Sequence, residues 1–336
     1  MRFTIEYEDS NVEKILEILN DYVGKEISIF ELEKDCLKKN VISVDYLFII
    51  LQHLSLKKVI EASKGVVKVN EKINEELAKE IKDLAKKKIT TNSKTFFTPL
   101  EVSKFFQCPR RFWLEKIVLS KQEKEKVGKV WDGEAIHVAI KNLIENLGKK
   151  DEESLIEESA KIGMESFQGS IEIKKEEMIE ILKKFLECLK KENFDLILPE
   201  RTIITLKLGL VGSVDLVGFR GEEIVPIEVK HGSYRGRLKK EHILQSVGEA
   251  LLIGSYFRKR IKNSYIFYSQ TNSLVKIDIL PKHLKNFLRS VMLIKKMCSS
   301  DRIPPKSRLQ NYRERVCKGC HVKNACENIE KMKRKS

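Results

Sequence analysis

Residues 209–230 read GLVGSVDLVGFRGEEIVPIEVK. The helical periodicity that precedes this stretch gives way to alternation, and an Arg220-Gly221-Glu222 turn divides it into two strands. On a strand, residues two apart share a face, so Glu228 and Lys230 project together. Asp215, on the neighbouring strand, can join them. Two carboxylates at one point make a hard oxygen site suited to Mg²⁺ or Mn²⁺. A lysine beside them can orient or deprotonate an attacking water and offset charge building on a phosphate. The spacing alone is weak evidence, because an apolar strand with two polar residues on one face often just meets solvent. Pro226 suits an edge or strand-end position more than a sheet centre.

Upstream, RTIITLKL at 201–208 reads as a strand, preceded by helical patterns over Asp151–Phe194 and Val130–Leu147 and an aromatic-rich stretch over Phe97–Leu114. Downstream come a helix over Lys239–Lys259, strands SYIFYSQ and LVKIDIL, and a last helix from Pro281 to Cys298. The expected fold is α/β of the α+β type, with a mixed central sheet flanked by helices. Asp215 followed by Glu228-Val229-Lys230 resembles the PD-(D/E)XK nuclease arrangement, which implies a restriction-endonuclease-like core over residues 93–336.

Residues 1–92 read differently. Helices over Val12–Tyr22, Ser28–Lys39 (Ser28 and Glu31 forming a capping box) and Ser43–Leu54 precede an alternating hairpin, KKVIEASKGVVKVN, and a charged helix over Glu71–Lys88. KKKITTNSK, residues 86–94, reads as an exposed linker. Three helices and a hairpin resemble a winged helix-turn-helix, which serves either DNA binding or protein docking. Residues 1–92 carry a net charge of −1 and the rest of the chain +16, out of +15 overall. A polyanionic partner explains the second figure, and so does a thermophile surface rich in Lys and Glu with only seven Gln. The longest apolar run, around Tyr46–Leu54, is broken by Gln52 and His53, so no membrane span is expected. The N-terminus lacks a basic-then-apolar leader, and a cytoplasmic location is expected.

Three of the seven cysteines form C-x2-C-x5-C at Cys317, Cys320 and Cys326, and Cys108 in FFQCPRRFWL is a candidate fourth ligand. By spacing alone zinc is as good an occupant as an iron–sulfur cluster, with four thiolates or with three and His321. Cys36, Cys188 and Cys298 read as buried small hydrophobes. Phe105, Phe106, Phe112 and Trp113 suit core packing better than base stacking.

The order Cys108, His137, Asp215, Glu228-Val229-Lys230, Gln245, Cys317, Cys320, Cys326 resembles the CRISPR-associated Cas-four exonucleases, a RecB-like family. The likeness covers about residues 95–330 and implies a metal-dependent nuclease acting on single-stranded DNA or overhangs, trimming spacer precursors with the CRISPR integrase. It implies Mn²⁺ or Mg²⁺ held by His137, Asp215, Glu228 and the Val229 carbonyl, Lys230 positioning water, and a 4Fe–4S cluster on the four cysteines. Gly133 and His137 match the family's G-x-x-x-H helix. Gln245 matches the first position of its Gln-x-x-x-Tyr helix, but the tyrosine is missing. Glu249 stands there instead and reads as a solvated helix residue, and Tyr256 is too far along to substitute. The missing tyrosine and the added N-terminal domain suggest a diverged, archaeal member. A repair nuclease of the AddB type, or a non-catalytic winged-helix regulator with a zinc staple, are the competing readings. Self-association stays open.

Overall fold

A computed structural model describes residues 9–90, 96–118, 128–167, 171–299, 303–306, 317 and 320–335. In the N-terminal unit α1 (Asp9–Asp21), β1 (Glu26–Ser28), α2 (Ile29–Lys38) and α3 (Val44–Leu56) are followed by β2 (Ile60–Ser63), β3 (Val66–Val69) and α4 (Glu75–Thr90). Ser28 Oγ accepts from Glu31 N at 3.1 Å to start α2, while the Glu31 carboxylate lies 3.7 Å from Lys34, so the capping is one-sided. The β2–β3 turn places Lys64 and Gly65 at φ +48° and +82°, the mirror-image geometry that matches strand twist. The strands order β1-β3-β2, all antiparallel. Three-residue β1 is absent from the sequence reading, because so short an alternation between two helices carries no period. The proposed linker is also corrected. Its first five residues continue α4 to Thr90, and 91–94 lie outside the described residues.

The second unit runs α5 (Pro99–Gln107), α6 (Pro109–Trp113), a π-helical turn (Leu114–Val118), α7 (Gly128–Asn146), α8 (Glu152–Glu165), α9 (Lys175–Lys191), β4 (Leu196–Thr205), β5 (Leu210–Arg220), β6 (Glu223–Lys230), α10 (Lys240–Tyr256), β7 (Asn263–Tyr268), β8 (Ser273–Asp278) and α11 (Pro281–Cys298). A further helix, α12 (Lys323–Lys335), follows the one expected to be last. The five strands order β4-β5-β6-β7-β8, and only β6–β7 is parallel, with α10 as the crossover that a parallel pair requires.

Helices α7, α8 and α9 bury one face of the sheet over Leu216, Val225, Ile227 and Val229. Helices α5, α10 and α11 cover the other, and their apolar core runs on without a break into that of the N-terminal unit. Gly163 of α8 lets α7 come close, since a Cβ there would stand 2.6 Å from the Ala135 carbonyl. Gly248 does the same where α10 meets Pro99 and Phe287. Phe105 and Phe112 are buried edge to face, and Phe106 and Trp113 pack against the core, as the packing alternative expects. Of the three spare cysteines only Cys36 is buried. Cys188 is half-buried, and Cys298, ending α11 on its solvent side, is exposed. No helix among the described residues is long and apolar enough to cross a membrane.

Ile204 N donates to the Ile42 carbonyl at 2.8 Å and the Tyr256 hydroxyl to that of Val41 at 3.0 Å, so the two units are hydrogen-bonded across their shared core. Arg258 lies over Phe48, and Lys259 is 4.0 Å from the Phe30 ring centroid. Glu33 is buried beneath Arg258, 4.0 Å away. Burial outweighs the pull of Arg258 and Lys259 and raises its pKa to about 7. A carboxyl with a raised folded pKa binds its proton more tightly when folded. Stability from this group is therefore full below about 4.5 and is lost as pH rises through about 7. Glu33→Gln should leave the melting temperature near wild type at pH 4.5 and raise stability by roughly 1–3 kcal/mol at pH 8. Thermal denaturation at the two pH values checks this, and an equal effect at both would contradict it.

Candidate active site

The β5–β6 ladder runs from Arg220↔Glu223 to Leu216↔Ile227 and stops there, while β6 stays paired with β7 through Lys230↔Tyr268. The sheet therefore forks at the end of β6. At the fork the Asp215 carboxylate takes the place of a strand partner, its Oδ2 accepting from the Val229 N–H at 2.8 Å. Its Oδ1 lies 3.4 Å from Nδ1 of His137, which α7 brings from one face of the sheet. On the other side of β5, the ladder passes from Pro199↔Leu216 to Arg201↔Val214 without a rung at Asp215, and Glu200 has φ +23°. Gly133, one turn before His137, lets α7 approach the end of β6, since a Cβ there would stand 3.3 Å from that of His231.

Glu228 and Lys230 meet as their spacing predicts. Glu228 is buried, and Oε1 accepts from the Lys230 ammonium. Gln245 of α10 clamps both, accepting from Lys230 Nζ at 2.9 Å and donating to Glu228 Oε1 at 2.6 Å. These contacts sit on the central strand, so the expectation that Pro226 marks an edge is wrong. Successive peptide groups of a strand point to opposite neighbours. The Val229 N–H faces β5, so the Pro226 nitrogen faces β7, whose ladder begins only at Ile227. The missing donor costs no rung, and Ser264 Oγ satisfies the Pro226 carbonyl at 3.2 Å.

Burial alone would discharge His137, but the hydrogen bond and charge of Asp215, with Glu228 adding to them, lift its pKa above the ordinary value. Burial likewise works against the Lys230 charge and is outweighed by Glu228, Glu249 and Asp215, so Lys230 is held as an ammonium. His242, one turn before Gln245, is kept neutral, its pKa lowered to about 4 by burial and by Lys230 and Lys239. Its Nδ1 is 2.7 Å from the hydroxyl of Tyr268, on whose ring Tyr234 stacks.

Sequence reasoning missed His242 and Tyr268 and misread Glu249. Glu249 is 1% exposed, buried between helix and sheet beside Glu228. The signal available was the 242/245/249 spacing, which puts three polar residues on one face of a helix. Tyr256 is far from the site, its hydroxyl on the Val41 carbonyl.

His137, Asp215 and Val229 line a cavity of about 280 Å³ together with Glu134, Phe167 and Glu200. Two carboxylates and an imidazole are a donor set that fits a hard divalent cation. Among the described residues no three metal-ligating side chains stand together at ligating distance. Asp215 is turned to His137 and Val229, and Glu228 to Lys230 and Gln245, so the site lies in two halves on either side of the fork.

Cys108 stands between α5 and α6. The Cys317 thiol is raised in pKa by burial and by the nearby thiols of Cys108, Cys320 and Cys326, so the four sulfurs share one neighbourhood. Around them the C-terminal segment is latched to α6 and the π-helical turn. Arg110 donates to the Pro304 carbonyl at 2.9 Å and pairs with Glu330, and His321 Nε2 lies 3.0 Å from Glu115 Oε1.

No curated protein matches the chain. The family model for the PD-(D/E)XK nuclease superfamily matches residues 97–327, spanning the strand fork, the Glu228-x-Lys230 strand, the α10 clamp and the cysteine neighbourhood. The chain belongs to the PD-(D/E)XK nuclease superfamily.

Proposed function

We propose that the chain is a divalent-cation-dependent DNA nuclease acting on single strands or overhangs, with its site built from His137, Asp215, Glu228, Val229, Lys230 and Gln245. The observation that carries this reading is the Lys230 ammonium, fixed by Glu228 and Gln245 at the fork, with a run of free cations directly after it. Arg235, Arg237, Lys239 and Lys240 are exposed and no ion pair engages them among the described residues. Cations of this kind take up phosphate by counterion release. Half-buried Tyr234, braced by Tyr268 at 5.7 Å, offers a ring for an unpaired base.

His137, Asp215, Glu228 and the Val229 carbonyl would hold Mg²⁺ or Mn²⁺, which supplies Lewis acidity for phosphodiester hydrolysis. Lys230 donates to the attacking water or a phosphate oxygen and offsets charge that develops in the transition state. Gln245 keeps Lys230 and Glu228 in register. The likeness to Cas-four enzymes favours spacer-precursor trimming beside a CRISPR integrase over AddB-type repair. The same likeness favours a 4Fe–4S cluster over zinc on Cys108, Cys317, Cys320 and Cys326, whose thiols lie in one neighbourhood.

Residues 1–92 are read as a winged-helix-like docking module. The face of α3 that a DNA reader would expose holds Gln52, Ser55 and Leu56, with no Lys or Arg, while Phe48 lies under Arg258. That arrangement disfavours the non-catalytic regulator, which needs DNA affinity in this unit.

With Mn²⁺ the protein should cleave an end-labelled single strand. Lys230→Ala should lower the rate by about 10²-fold or more while the circular dichroism spectrum stays unchanged. Cleavage surviving at the wild-type rate would contradict the site. Protein purified without oxygen should be brown, with iron and sulfide bound, and Cys317→Ser should lose colour and thermal stability together. A colourless wild type that carries zinc would contradict the cluster.

A further inference from the structure

Glu249 lies one turn beyond Gln245 on α10, so both side chains face the β6 end of the sheet. Its carboxylate is in hydrogen-bonding contact with that of Glu228 and within electrostatic reach of Asp215 and Lys230. Both glutamates are almost wholly buried, at 1% and 4% exposure. The Lys230 ammonium and the Gln245 amide are both spent on Glu228 Oε1, and Glu249 Oε2 has no hydrogen-bond partner at all. A buried carboxylate oxygen without a donor is costly, and a second carboxylate against it adds repulsion. Three carboxyl groups, Asp215, Glu228 and Glu249, meet the Lys230 ammonium and His137, so acidic groups outnumber basic ones at the fork.

We infer that Glu249 is a third carboxylate ligand of the cation at the fork, taking a hard divalent ion such as Mn²⁺ or Mg²⁺ with Asp215 and Glu228. The inference rests on the metal-dependent reading above and adds to it a residue that no family motif supplies. The orphaned oxygen belongs to a carboxyl that is 1% exposed and packed against that of Glu228. Asp215 and His137 approach from the α7 side, and Glu228 and Glu249 from the α10 side. The ion is the element that joins the two halves.

Titration calorimetry with Mn²⁺ alone, paired with thermal melts with and without Mn²⁺, tests this on the full chain. Glu249→Gln is expected to melt at or above the wild-type temperature without metal, because a buried carboxyl packed against that of Glu228 leaves the interior. It is also expected to bind Mn²⁺ roughly tenfold or more weakly. Its melting temperature should rise correspondingly less on adding Mn²⁺. Glu249→Leu gives the same readout should the amide fold poorly. Wild-type Mn²⁺ affinity in these variants, with affinity lost in Asp215→Asn, overturns the assignment of Glu249 and leaves the nuclease reading standing. A wild-type chain that binds no Mn²⁺ overturns both.

Discussion

One hydrogen bond, from the Val229 N–H to Asp215 Oδ2, holds the fork on which the rest of the site depends. Inside a sheet, a backbone amide that loses its strand partner must find another acceptor or carry a desolvation penalty. Here a side-chain carboxylate meets that need at the position where β5 leaves β6. The exchange opens a gap between two buried strands and puts an acidic group at its edge. Because β6 remains paired with β7 through Lys230, the end of the strand keeps its direction, and Glu228 and Lys230 keep a common face.

Everything else converges on that gap from two sides. Close approach at Gly163 and Gly133 brings α7, and with it His137, to Asp215. The parallel β6–β7 pair requires a crossover, and that crossover is α10, so the same topology delivers His242, Gln245 and Glu249 to the opposite face. Charge is graded across the site. Lys230 is held positive, His242 is held neutral, and the carboxylates outnumber the fixed cations. The excess positive charge of the chain belongs to residues 93–336, and Arg235, Arg237, Lys239 and Lys240 stand exposed after Lys230. The near-neutral N-terminal unit spends its aromatics on Arg258 and Lys259 instead.

Much of this could be read from residue order. Alternation around Asp215 and Glu228 located β5 and β6, and Pro281 and Cys298 bound α11 as its pattern implied. What failed did so for identifiable reasons. Glu249 reads as solvated in the sequence because polar residues on helices usually are. Helix α10, however, is packed between the sheet, α5 and α11, and buries Ser246 to Ala250 without a break. Pro226 looked like an edge residue because one dimension does not tell which neighbour a strand nitrogen faces. Exposure of Cys298 depends on which side of α11 meets solvent, and that is a tertiary fact. The fork itself leaves no periodic trace, since it is a missing rung and not a residue type.

The most direct test of metal-dependent DNA cleavage at the fork is the Mn²⁺-dependent cleavage rate of an end-labelled DNA single strand, compared between wild type and Asp215→Asn at matched folded fraction. Loss of the Asp215 charge should reduce the rate by about 10²-fold or more, with the strand left intact over the time in which the wild type degrades it. Equal rates for the two proteins would contradict it.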